Sequence, residues 1–215
     1  MLRRSQNAVF VGGHYVFPGG AVDTADSEVV TDSVRFVRDD KSLRAAVFAG
    51  ADPSVPNDSA DATDDPDGHA SYVVAAIREA FEEAGLLLAR RRSGEWVDFG
   101  DLPTRERFHA HRMELNGGSC GFLQLLEREE LVIHASDLTY WSRWITPIGS
   151  PRRFDARFFV AEVPTSYDTS PDDGELVHAE WIRPVDALER FESGTFPIIF
   201  PTIKTLQSML EPRNH

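Results

Sequence analysis

Three carboxylates fall at i, i+3 and i+4 in the run Arg78-Glu79-Ala80-Phe81-Glu82-Glu83-Ala84-Gly85-Leu86. On a helix that spacing puts Glu79, Glu82 and Glu83 on one face, within about a quarter turn. Val73, Ile77, Ala80, Phe81 and Ala84 gather on the other side, so one face packs while the other carries charge. Like charges this close repel. A hard divalent cation with oxygen ligands is the natural compensation; a solvated acidic face with Arg78 as partner is the alternative.

The elements around this run must bring it partners. A helix from about Ser71 to Ala84 is expected, with Ser71 as its N-cap and Gly85 as its C-cap. Ahead of it, Phe17-Pro18-Gly19-Gly20 is a strong turn signal after an apolar stretch over 8–17. Residues 27–50 contain helix-permissive pieces. Residues 51–70 hold six Asp and no Lys or Arg, and read as an exposed acidic loop. That loop lacks the spaced ligands of a calcium loop.

Downstream, 103–115 and 121–130 read as helices separated by Asn116-Gly117-Gly118. Residues 138–147 are rich in aromatics, and Phe154 to Val163 is the best strand in the chain. A polar loop over 165–174 precedes a strand at 175–182, then a helix opened by Pro184 and a last helix from about Thr202 to Leu210. No internal repeat is present. Together these pieces predict an α/β (α+β) fold, a mixed sheet sandwiched between helices.

The bulk properties narrow the partners. A chain of 215 residues fits one domain. A net charge of -13 argues against nucleic acid and against an anionic membrane surface. An anionic small molecule then needs metal ions or local arginines to bridge the repulsion. Cys120 is the only cysteine, which rules out a disulfide within the chain and argues against a cysteine zinc site. No apolar run is long enough for a membrane span, and Met1-Leu-Arg-Arg-Ser-Gln lacks the apolar core of a signal peptide. The expected setting is cytoplasmic. His109 and His111 point to different faces of a helix and do not make a metal pair. Trp141 and Trp144 read as core or homodimer packing before a base-stacking platform.

The motifs resemble those of the Nudix hydrolases. Phe17-Pro18-Gly19-Gly20 and Arg78-Glu79-x-x-Glu82-Glu83-x-Gly85-Leu86 match the two halves of that family's signature. Asp26 stands where the family has its first acid, but 51 residues separate it from Arg78 where the family has seven. The resemblance therefore implies an insertion over 27–70 inside the signature loop, and a helical elaboration over 99–147. The closer likeness is to the peroxisomal coenzyme A diphosphatase type. It rests on Leu2-Arg3-Arg4-Ser5, Gly13-x-x-Val16-Phe17-Pro18-Gly19-Gly20, Arg143-Trp144-Ile145-Thr146-Pro147 and Arg152-Arg153-Phe154-Asp155-x-Arg157-Phe158-Phe159. Members of that type carry a strand ahead of the Leu-Arg-Arg segment, so either the start is truncated or the sheet is one strand short.

The resemblance implies metal-dependent hydrolysis of a diphosphate linkage, with Mg2+ or Mn2+ as cofactor and a small-molecule nucleotide as partner. Coenzyme A or an acyl-CoA is the leading substrate. NADH or ADP-ribose is the alternative substrate, and a weakly catalytic nucleotide-binding module the alternative class. Carried over by motif, Glu79 and Glu83 are the principal ligands with Glu82 beside them, Arg78 orients the carboxylates, and the Gly20 carbonyl completes the set. Glu175 is the chosen late acid, as ligand or general base, with Glu180 and Glu162 as runners-up. A phosphate-rich substrate implies basic groups along its path, for which Arg3, Arg4, Arg152, Arg153 and Arg157 are candidates.

Overall fold

A computed structural model describes residues 1–8, 11–38, 66–150, 153–170 and 176–211. Strand β1 (Leu2–Arg4) pairs antiparallel with β2 (Tyr15–Val16) and with β8 (Leu176–Ala179). Strand β5 (Leu131–His134) lies between β3 (Val37–Arg38), which is parallel to it, and β4 (Arg90–Arg91), which is antiparallel. Strands β6 (Leu138–Ile145) and β7 (Asp155–Ala161) form an antiparallel hairpin with an irregularity between Tyr140 and Ser142. The fold is mixed α/β as expected, but its strands fall into three hydrogen-bonded groups. None of the helices among the described residues is long and apolar enough to cross a membrane.

Helices α1 (Thr24–Thr31) and α2 (Ser33–Phe36) precede the long α3 (Pro66–Ala84). Helix α3 starts earlier than the cap signal suggests. Ser71 sits inside it, buried, with its hydroxyl bonded to that of Ser27 at 3.1 Å, so it ties two helices together rather than capping one. Its C-terminus follows the expectation. Gly85 has φ +72, and the Gly85 and Leu86 amides donate to the Phe81 and Ala80 carbonyls. The start of the supposed acidic loop's last stretch, from Pro66, is helix; 51–65 lie outside the described residues.

The apolar face of α3 does what its pattern predicts. Val73, Val74, Ile77 and Phe81 are buried with Val29, Phe36, Leu126, Leu131 and Ile133 in the main core. Helices α4 (Leu102–Asn116) and α5 (Phe122–Arg128) follow the sequence reading closely. The helical elaboration assigned to 99–147 needs correcting: beyond Arg128 the chain runs as β5 and β6. Leu131-Val132-Ile133 is a wholly buried apolar run, with β-branched Val132 and Ile133, that suits a central strand. Helices α6 (Pro184–Glu192) and α7 (Phe200–Ser208) close the chain. They cover a second core around Tyr15, Phe196 and Leu206, with the Tyr15 and Phe196 rings stacked at 3.7 Å. A third cluster, Leu2, Ala84 and Leu176, fixes β1 and β8 against the last turn of α3, directly after the acidic run.

Candidate functional site

Along the last four turns of α3, every residue is buried except Tyr72, Ala76, Glu79, Glu82 and Glu83. These recur at helical spacing, so they form one accessible stripe with the carboxylates at its C-terminal end. An open cleft of about 510 Å³ adjoins that end, lined by Asp23, Arg78, Glu82, Glu83, Met113 and Asn116 among others.

Arg78 organises the carboxylates. Its Nη1 donates to Glu79 Oε1 and Glu82 Oε2, each at 2.8 Å. Its Nη2 donates to the Ala21 carbonyl at 2.9 Å, which holds the segment after the glycine turn. Its Nε and Nη2 reach Asp26 Oδ1 and Oδ2 at 2.9 and 3.1 Å. Burial alone would lower the Arg78 pKa, but the Asp26 hydrogen bonds and the charges of Asp26, Glu79 and Glu82 outweigh it and raise it. A lysine has no planar fork with which to copy these five bonds.

Asp26 is the residue whose importance the sequence understates. It is fully buried. Its Oδ2 also accepts from the Asp23 amide at 2.7 Å, and Asp23 caps α1 by accepting from the Ala25 amide. One carboxylate thus starts a helix and anchors Arg78 across 52 positions of sequence. Its distance from Gly20 was the available signal.

The glycine turn meets the acidic stripe. The Gly19 amide donates to Glu83 Oε2 at 2.8 Å. A Cβ built on Gly20 would overlap the Glu79 carboxylate. With Glu79 where it stands, only a bare backbone fits there, which places the Gly20 peptide against Glu79. Burial holds the Glu79 and Glu82 pKa values above the usual carboxylate range, and the neighbouring Arg78 offsets this only in part. Carboxylate and backbone oxygens are the donor type that hard divalent cations take; here Glu79 and Glu82 are turned to Arg78 and Glu83 to the Gly19 amide, and no three acids among the described residues are grouped as a ready ligand set.

The Gly20 contact makes a prediction. In Gly20→Ala the added methyl meets the mobile end of a side chain, so Glu79 yields and the melting temperature stays within a few degrees. Activity, in contrast, falls about tenfold or more, because the carboxylate is displaced. A thermal melt beside a rate assay checks both, and full activity would show that the close approach has no role.

Arg112, on α4, is a further residue that sequence reasoning missed. It is buried, and its Nε donates to the Glu82 carbonyl at 2.8 Å. Its Nη1 and Nη2 hold Ser170 Oγ and O at 2.9 and 3.0 Å, and the Ser170 amide donates to the Ala84 carbonyl. This clamp docks the loop before β8 onto the end of α3.

The remaining candidates scatter. Glu175 and Arg152 lie outside the described residues. Glu180 pairs with Arg190 at 2.9 Å, and Glu162 is exposed. Arg3 is half-buried in β1, with Nε 3.4 Å from the Gly13 carbonyl, and Arg4 follows it. Arg153 is exposed and donates to the Thr146 carbonyl. Arg157 is buried on β7, its guanidinium 3.7 Å from the centre of the Tyr72 ring. Trp141 and Trp144 pack on α7, through Ser208 and Phe200.

Comparison with known proteins gives a consistent result. Residues 1–209 match the family model of the NUDT19 Nudix domain. The chain is 32% identical over 215 residues to the acyl-coenzyme A diphosphatase NUDT19 of Gallus gallus, covering 89% of this chain and 55% of that protein. It is 32% identical over 212 residues to the Homo sapiens protein of the same name, covering 90% and 55%. The chain thus spans about half the length of these relatives. Among solved structures, it is similar to a NUDIX hydrolase from Alicyclobacillus acidocaldarius, with a TM-score of 0.72 and 28% identity over 97% of this chain and 81% of that one.

Proposed function

The chain belongs to the NUDT19 Nudix domain family, and from that premise we propose that it is a divalent-metal-dependent pyrophosphohydrolase acting on coenzyme A or acyl-CoA. The products are 3′,5′-ADP and phosphopantetheine or its acyl form. The observation that carries the reading is the meeting of the Gly19–Gly20 turn with Glu79 and Glu83, with Arg78 bridging Glu79 and Glu82. The names of the relatives support the substrate.

Glu79, Glu82, Glu83 and the Gly20 carbonyl would hold Mg2+ or Mn2+. Such ions, when bound, neutralise charge on the diphosphate and lower the pKa of a bound water. The chain's own contribution is preorganisation. Arg78 keeps two mutually repelling carboxylates aimed at one place, and Asp26 keeps Arg78 from turning to solvent. The Gly19 amide fixes the Glu83 rotamer. The Arg112 clamp holds Ser170 to the end of α3, and Glu175 is the proposed late acid. We take 1–215 as one domain with 27–70 as the insertion in its signature loop. Arg3, Arg4, Arg152, Arg153 and Arg157 are the proposed substrate-binding arginines.

A substrate panel tests this. CoA, acetyl-CoA, NADH and ADP-ribose are incubated with Mg2+ or Mn2+ and the products weighed by mass spectrometry. CoA is expected to yield 3′,5′-ADP fastest. Cleavage of NADH or ADP-ribose with none of CoA would overturn the substrate assignment. Ligand-induced thermal stabilisation without any turnover would make the domain a binding module.

A further inference from the structure

Arg157 presents an unsolved charge problem at the far end of the acidic stripe. Its side chain is 6% exposed, and its Nε and Nη1 are buried with no acceptor among the described residues. Register places it directly opposite Arg143, on the hairpin face shared with Asp155. Asp155 does not solve the problem. Both its oxygens are taken by Arg143, at 2.7 and 2.6 Å, while Arg157 Nη2 stands 3.6 Å away. Two guanidiniums therefore share one carboxylate. The Tyr72 ring covers Arg157 at 3.7 Å but supplies no hydrogen-bond acceptor in its plane.

A buried cation with unmatched N–H groups is costly unless an anion completes it. A guanidinium presents a fork that suits a phosphate. Position says which phosphate. Tyr72 and Glu79 lie on the same accessible stripe of α3, seven residues and therefore about 10.5 Å apart along the axis. Arg157, against Tyr72, thus lies at the other end of the stripe that carries the carboxylates, displaced from them along the helix. A nucleotide with a diphosphate on its 5′ side and a phosphomonoester on its 3′ side separates two anions across one ribose. We infer that Arg157, stacked on Tyr72 and flanked by Arg143, is a built subsite for the 3′-phosphomonoester of the substrate. This rests on the reading of the acidic stripe as the diphosphate site and of CoA as substrate. It would make Arg157 the element that separates CoA from NADH and ADP-ribose, which lack that group.

The test uses the whole chain, with Arg157→Gln and Arg157→Lys. Binding of 3′,5′-ADP and of 5′-AMP is measured by calorimetry, and initial rates are taken on CoA and on 3′-dephospho-CoA. The wild type is expected to bind 3′,5′-ADP about tenfold or more tightly than 5′-AMP. Arg157→Gln should bind both at the 5′-AMP level, with KM for CoA raised about tenfold, kcat held and KM for dephospho-CoA unchanged. Arg157→Lys should fall between. Equal binding of the two nucleotides by the wild type overturns the subsite, and that comparison needs no folded variant. So does a loss in Arg157→Gln that is the same for both substrates, which marks a structural role. The two readings fail separately. Arg157-dependent preference for 3′,5′-ADP without CoA turnover keeps the subsite and removes the CoA reading; CoA turnover indifferent to the 3′-phosphate does the reverse.

Discussion

Replacing Glu83 by Gln is expected to lower metal-dependent turnover about 1000-fold while leaving the fold intact. The amide is isosteric and its oxygen still accepts from the Gly19 amide, the bond Glu83 makes at 2.8 Å. What disappears is one negative charge at the place where a divalent cation would sit. A bound metal contributes several kcal/mol of transition-state charge stabilisation, and about 4 kcal/mol corresponds to a thousandfold. Rates measured over a Mg2+ or Mn2+ titration, beside a melting curve, check both halves. Activity within a few-fold of wild type would remove Glu83 from the metal role.

The same site carries a pH dependence. Glu79 and Glu82 are raised above their ordinary value of 4.5, chiefly by burial. The metal-free fold therefore binds their protons more tightly than the unfolded chain does. That stabilisation is fully present below about 4.5 and is lost as pH rises through the raised native values. A cation that takes only the carboxylate forms competes with those protons, so its affinity should climb over the window just above 4.5.

Arg78→Gln is the variant expected to cost most stability. It leaves Asp26, with no exposed surface, beside two further carboxylates and no cation. Breaking a buried pair by removing one partner costs about 3–5 kcal/mol. Urea unfolding without metal should show that loss. Adding Mg2+ or Mn2+ should restore part of it, because a ligand bound only by the native state stabilises it. Pairing the change with Asp26→Asn should cost less than the sum of the two alone, since they share one interaction. A loss under about 1 kcal/mol would mean that the network is a solvated surface feature.

Much of this was legible in the residues themselves. The acidic stripe and its buried opposite face follow from helical periodicity, which a single segment carries within itself. The Gly-Gly turn and Gly85 were legible for the same reason, as backbone demands local to a few residues. Helices α4 to α6 and strands β7 and β8 also emerged close to where pattern placed them. Ser71 did not, because a serine before an apolar run looks like a cap whether or not Ser27 stands across from it.

Residue types and their spacing carry the chemistry: carboxylates at fixed helical offsets, an arginine beside them, and a glycine turn to meet them. Tertiary structure alone decided who holds whom. Asp26 and Arg78 are 52 positions apart, Arg112 and Ser170 58, and Arg157 pairs with a ring on a helix far earlier in the chain. No periodicity encodes such pairings, because they depend on how helices and strands pack, and packing is a property of the whole chain. Burial then sets their strength: the same arginine is an ordinary surface charge when solvated, and the organiser of a site when its acceptors are removed from water.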